Sequence, residues 1–162
     1  MSCSHNVSCF DPCKSSCPSR RLDALNSNTG GNQPVNSGAL LVFNTNNVVS
    51  GNRISHVPGT SIFTISGPGV YQVLFNTSAF INGEITPLSR LALVIQLGTT
   101  PIPGTNVNVN LSDDTGGVLE NISVSSLFRV PANTTVNLSV LNLTLTNNAV
   151  YNEANISIIR LG

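Results

Sequence analysis

G-P-G-V-Y-Q-V-L-F-N-T-S-A-F, residues 67–80, is the stretch on which the reading of this chain turns. Tyr71, Val73 and Phe75 fall at every second position, the period of a β-strand rather than the 3.6-residue period of a helix. Val70, Leu74 and Phe80 occupy the other parity, so this strand is apolar on both faces. Gly67-Pro68-Gly69 breaks the chain before it, and Asn82-Gly83 after it carries the residue pair of a type I′ turn.

The same rhythm recurs on either side. Further strands are predicted near 39–45, 60–66, 89–97, 105–111, 118–129, 133–146 and 154–161, with a short run at 47–55 that can pair locally. Pro58-Gly59, Pro101 to Gly104 and Gly116-Gly117 separate them. Eight to nine short strands with no helical period predict an all-β sandwich of antiparallel strands. In 105–111, Val107, Val109 and Leu111 oppose Asn106, Asn108 and Asn110, so that strand has one wet face. In 118–130 the inward set is Val118, Ile122, Val124, Phe128 and Val130. In 133–146 the apolar parity switches from Val136, Leu138 and Val140 to Leu141, Leu143 and Leu145. Such a switch is what a β-bulge produces, or a strand that leaves one sheet for another.

A second strand, 89–97, is also apolar on both faces: Leu91, Leu93, Ile95 and Leu97 oppose Ala92 and Val94. A sandwich strand has one inner face. The other must be covered by a loop of the same chain or by another subunit, or it stands as an exposed apolar patch.

Composition narrows the function. Only 9% of the 162 residues are charged, the seven basic residues balance the seven acidic ones, and Lys14 is the only lysine. Asn fills about one position in seven. A surface of neutral amides and hydroxyls lacks the charge repulsion that keeps copies apart. Compositional bias of the source accounts for it as well as a life packed against other copies does. Arg20-Arg21 is the only adjacent basic pair, so no nucleic-acid surface is expected. No run reaches the length of a membrane helix, and residues 1–20, interrupted by Pro12 and Pro18, contain no apolar leader core, so neither a membrane span nor a Sec-type signal is expected.

Catalytic chemistry finds no footing, and the chain is not expected to be an enzyme. The two histidines, His5 and His56, stand apart from any fixed acid–nucleophile pair, and no G-x-S-x-G occurs. Asp113-Asp114 lies in a Ser-Asp-Asp-Thr-Gly-Gly turn that reads as a solvated loop, with calcium as the lesser alternative. No cofactor and no metal are expected.

All four cysteines, Cys3, Cys9, Cys13 and Cys17, lie in the first seventeen residues. Residues 1–38 show no period, and they read as a flexible cysteine-rich arm with a Gly30-Gly31 hinge, ahead of a head domain at 39–162. The spacing C-x5-C-x3-C-x3-C fits paired zinc hooks poorly. Zinc and inert thiols remain as alternatives to disulfides. Disulfides that stabilise a domain staple its core; here the core holds none, so the thiols are placed to reach a neighbouring subunit.

Several segments together resemble the complement globular-head and tumour-necrosis-factor jelly rolls. G-P-G-V-Y-Q-V-L-F at 67–75 is similar to that family's Gly-x-Tyr-x-Val-x-Phe strand, A-N-I-S-I-I-R-L at 154–161 to its last strand, and F-R-V-P-A-N-T-T-V-N-L at 128–138 to the turn before its penultimate long strand. Ala132-Asn133 departs from the acidic or glycine-bearing turn usual there, and no Gly-x-y collagen stalk precedes the head. The Asn/Thr-rich, lysine-poor composition is closest to the bacterial spore-surface branch: exosporium collagen-like heads and endospore appendage subunits. The resemblance implies a jelly-roll head and a homotrimer with the Tyr71 strand near the threefold axis. Combined with the two-faced strands, it nominates Tyr71, Val73, Phe75, Leu91, Leu93 and Ile95 as trimer contacts. The expected function is a structural subunit of a disulfide-cross-linked fibre or layer on a spore or cell surface, its partners further copies of itself and a separate surface protein as anchor. The competing expectation is a trimeric surface module that recognises a glycan or receptor through loops such as 98–105 and 112–117.

Overall fold

The computed structural model describes residues 22–83, 89–111, 119–145 and 148–162. The described residues are all strand, turn and loop: β1 (Ala24–Asn28), β2 (Asn32–Val35), β3 (Thr45–Ser50), β4 (Ile54–His56), β5 (Phe63–Ile65), β6 (Gly69–Ile81), β7 (Arg90–Leu97), β8 (Thr100–Pro101), β9 (Val107–Asn110), β10 (Glu120–Val130), β11 (Val136–Asn142) and β12 (Ala149–Arg160). They form two antiparallel sheets. Sheet 1 runs β10-β6-β12-β1-β3, with β2 beside β12; sheet 2 runs β4-β5-β11-β7-β8, with β9 beside β7.

The quoted stretch becomes the longest strand. β6 is hydrogen-bonded to β10 on one side and β12 on the other, from Gly69 to Ala79 and from Tyr71 to Ile81. Its odd positions Tyr71, Val73, Phe75 and Ala79 are buried against sheet 2, where Leu91, Leu93 and Ile95 of β7 and Leu138 and Val140 of β11 form the facing layer. The alternation expected for 118–130 holds for Ile122, Val124, Phe128 and Val130, all buried; Val118 lies outside the described residues.

Several expectations change. The head begins earlier than residue 39, because β1 is paired between β12 and β3, and β2 with β12. The reason β1 escapes a periodicity reading is chemical: its inward positions are Leu25, Ser27 and then Thr29, all buried. Ser27 donates to the Thr45 carbonyl at 2.7 Å and Thr29 Oγ1 accepts from the Ala154 amide at 3.0 Å, so these hydroxyls sit in the interior with partners. Gly30-Gly31 is correspondingly a tight turn between paired strands, with φ of 67° and 105°, and not a hinge.

Of residues 39–45 only Thr45 belongs to a strand, β3; residues 39–44 make two isolated bridges, Leu40 to Leu141 and Phe43 to Thr60, while burying Leu41 and Phe43. The 47–55 run divides into β3 and β4, which go to different sheets. Asn82-Gly83 is not a hairpin turn either. The strands it follows and precedes, β6 and β7, belong to different sheets, and of the pair only Gly83 has a positive φ.

The phase switch in 133–146 is not a bulge. β11 pairs with β5 and β7 in unbroken register, and its inward parity continues through Asn142 and Thr144, both fully buried. Asn142 Nδ2 donates to the Val35 and Asn36 carbonyls at 2.8 and 3.0 Å, and its Oδ1 accepts from the Tyr151 hydroxyl at 2.8 Å and the Thr144 amide at 2.9 Å. Thr144 Oγ1 accepts from the Ala92 amide at 3.0 Å. A buried polar network with every member paired is tolerated where unpaired groups would each cost about 1–3 kcal/mol. The register shift in this region of the fold lies instead in β12, between Asn152 and Asn155.

The network has a titration consequence. Burial pushes the Tyr151 phenol up to about 12, and burial likewise raises that of Tyr71, whose hydroxyl donates to the Gly67 carbonyl at 2.8 Å. The unfolded chain ionises its tyrosines near pH 10, and the folded head holds these protons longer. Stability is therefore retained below about pH 10 and falls as the pH rises toward about 12, by about 3 kcal/mol from Tyr151. Urea unfolding across that range, followed alongside tyrosinate absorbance, checks it: tyrosinate should form together with unfolding, and normal ionisation in a folded head would contradict it.

Candidate association face

Each sheet has an inner face in the core and an outer one. On sheet 2 the outer positions of β7, Ala92 and Val94, are 2% exposed. Both faces of β7 are thus covered within a single chain, which resolves the two-faced reading of that strand in favour of intrachain cover. Sheet 1 differs.

The register places its outward side chains in rows across four strands. At one end, Ser123 of β10 lies beside Asn76 of β6, Asn76 beside Asn155 of β12, and Asn155 beside Asn28 of β1. The next row is Ser125, Leu74, Ser157 and Asn26. Then come Leu127, Gln72, Ile159 and Ala24, and last Arg129 beside Val70, whose carbonyl accepts the Leu161 amide at 2.8 Å. The face is therefore divided along its length into an amide half and an apolar half.

In the amide half the side chains bond to one another. Asn26 Nδ2 donates to Asn155 Oδ1 at 2.8 Å and to Ser157 Oγ at 2.7 Å; Asn47 Nδ2 donates to Asn26 Oδ1 at 2.8 Å; Ser78 donates to Asn121 Oδ1 at 2.8 Å. Glu153 stands at the β12 register shift with φ of 48°, a left-handed conformation unusual for this residue type. Its amide donates to the Gly31 carbonyl at 3.2 Å, so the Gly30-Gly31 turn closes against the bulge.

In the apolar half Leu22, Leu127 and Leu161 are each more than half exposed and Leu74 is 37% exposed, with Val70 and Ile159 half-buried between them. Large apolar side chains gathered on one face of a sheet make that face a candidate docking surface.

The six residues nominated as trimer contacts lie elsewhere. Tyr71, Val73, Phe75, Leu91, Leu93 and Ile95 all sit between the two sheets at 0–1% exposure. A side chain with no surface left in the single chain has none to offer a partner. On β6 the outward set, Val70, Gln72 and Leu74, is the one with surface to offer. Cys3, Cys9, Cys13, Cys17, His5, Asp113 and Asp114 lie outside the described residues.

His56 is 9% exposed and serves the fold. Its ring stacks on Phe63 with centroids 4.2 Å apart, Nδ1 lies 2.7 Å from Asn46 Oδ1, and Nε2 lies 3.1 Å from the Thr60 carbonyl. Neither nitrogen reaches a carboxylate or a nucleophile among the described residues. Among the described residues no three His, Cys, Asp or Glu side chains gather as metal ligands.

No protein-family model and no curated protein sequence matches the chain. Solved structures do. The chain is similar to the Eiger TNF of S. frugiperda, at 14% identity and a TM-score of 0.58 over 88% of this chain and 94% of that one. It is similar to the globular domain of zebrafish complement 1qA, at 15% identity and 0.56 over 86% and 98%. It is also similar to PRD1 vertex protein P5, at 16% identity and 0.52 over 86% and 97%. At such identities the likeness is one of fold: the head is a jelly-roll sandwich.

The inside–outside assignment is open to direct measurement. Phe75→Ala should cost about 3–5 kcal/mol in urea unfolding, the range for emptying a buried aromatic site. Leu127→Ser, measured at dilutions where chains are single, should stay within about 0.5 kcal/mol of the unmodified chain. The reverse order would mean that the sheet faces have been exchanged.

Proposed function

We propose that this chain is a non-catalytic structural subunit whose jelly-roll heads associate as a homotrimer through the outer face of sheet 1. In this reading the N-terminal arms join trimers into a disulfide-cross-linked fibre or layer on a spore or cell surface. The observation that carries the proposal is the cluster of Leu74, Leu127, Ile159 and Leu161 on the outer face of sheet 1, with Leu22 entering beside it. Covering one Leu-sized side chain contributes roughly 1.5–3 kcal/mol, so a few per subunit suffice for a stable contact. The amide half of the same face brings no charge repulsion into that contact and offers hydrogen-bond partners instead.

The trimer is the association that the jelly-roll resemblance implies, and a three-copy contact leaves the arm of each copy free to reach another trimer. The arm supports the linking role by composition: four thiols, no core of its own, and a head whose interior needs none of them. Oxidation of thiol pairs between arms by an external two-electron oxidant such as dioxygen, each thiol giving up its proton and the oxidant taking the electrons, would add disulfide bonds that survive heat and drying. A separate surface protein would anchor the polymer.

On non-reducing gels the full chain should run as a ladder of bands that collapses to one with thiol. Deleting residues 1–20 should leave soluble trimers and abolish the polymer. Polymer formed normally by the shortened chain would refute the arm mechanism while leaving the trimer standing.

A further inference from the structure

Charge is scarce on this protein, yet two of the four described arginines and one of the three described acids meet at one place. Asp23, next to the point where the chain enters the head, is 7% exposed. Its Oδ1 accepts the backbone amides of Asn52 and Arg53 at 3.1 and 3.4 Å. Its Oδ2 faces Arg53 Nε at 3.8 Å and Arg160 Nη1 at 3.6 Å, both beyond hydrogen-bonding distance. The carboxylate is thus largely engaged by the backbone, and it neutralises only one of two guanidinium groups.

The arginines differ in what else they do. Arg160 donates through Nε and Nη2 to the Pro68 carbonyl at 3.1 and 2.8 Å, which fixes its plane. The Arg53 guanidinium donates to no protein acceptor among the described residues. Between them lies a cleft of about 340 Å³ lined by Asp23, Gly51, Asn52, Arg53 and Arg160. Two glycines leave room for the groups that line it. A Cβ on Gly51, whose φ is +76°, would collide with the Asp23 carboxylate, and one on Gly67 would collide with the Arg53 side chain.

We propose that this cleft is a binding site for an oxyanion, a carboxylate or a phosphate, held in the planar fork of Arg53 with Arg160 Nη1 as a further donor. A guanidinium presents parallel N–H groups that match two oxygens of such a group, which a lysine cannot do. The local charge, two cations against one carboxylate, favours an anion. The half-exposed Arg53 sets the strength: water competes for its donors, so binding is weak and salt-sensitive. The site is built on the ends of β1, β4 and β12, away from the amide half of the association face, and it stands whether or not the heads form trimers.

The test is an amide NMR titration of the full chain under reducing conditions, following Asn52 and Arg53. Sodium phosphate and sodium acetate are added against sodium chloride at constant ionic strength and pH. Saturable shifts with phosphate or acetate, and not with chloride, are expected. The stronger of the two responses tells a phosphate source from a carboxylate source. Arg53→Gln should abolish the shifts. Arg53→Lys, which keeps the charge but loses the fork, should weaken the response several-fold. Shifts that follow ionic strength alone, or that persist unchanged in Arg53→Gln, would overturn the proposal. Should Arg53→Gln fail to fold, saturation in the unmodified chain and weakening in Arg53→Lys still decide.

Discussion

The architecture depends on β6 being hydrogen-bonded along both edges for almost its whole length. A strand paired on both sides cannot rotate or slip, because a one-residue slip would exchange Tyr71, Val73 and Phe75 for Gln72, Leu74 and Asn76 in the core. That constraint fixes the outward parity of β10 and β12 as well. The rows on the outer face of sheet 1 are its direct result. An apolar row and an amide row can be adjacent on one face only because three neighbouring strands hold a common register.

Much of this was legible in the sequence, and the misreadings share a physical cause. β6, β7, β9 and β10 announce themselves because their inward positions, at every second residue, are mostly apolar. β1 and the end of β11 do not, because their inward positions are Ser27, Thr29, Asn142 and Thr144. Counting apolar residues sees only transfer free energy. It does not see hydrogen bonds supplied from 100 or more residues away, such as those from Asn142 to Val35 and Asn36. For the same reason the leucines at 141, 143 and 145, which point away from the core, looked like a change of phase. The residues nominated as trimer contacts are the strongest apolar set on their strands, and the single chain claims that set for its own core. What remains for a partner is the second-best face.

The scarcity of charge gives the molecule two kinds of surface. Half of the outer face of sheet 1 is amide and hydroxyl, bonded laterally to its neighbours, and half is apolar. Three of the seven charged side chains among the described residues meet at one end of the fold. Asp23, Arg53 and Arg160 tie together the start of β1, the turn after β3 and the end of β12.

The central claim is that copies meet through the outer face of sheet 1. Sedimentation equilibrium of the reduced full chain, compared with a variant carrying both Leu127→Asp and Leu161→Asp, tests it most directly. These sites are exposed, so the variant should fold with the same circular dichroism. The account predicts a mass of three chains for the parent and one for the variant. A variant that keeps the three-chain mass, or a parent that is a single chain at every concentration, would contradict it.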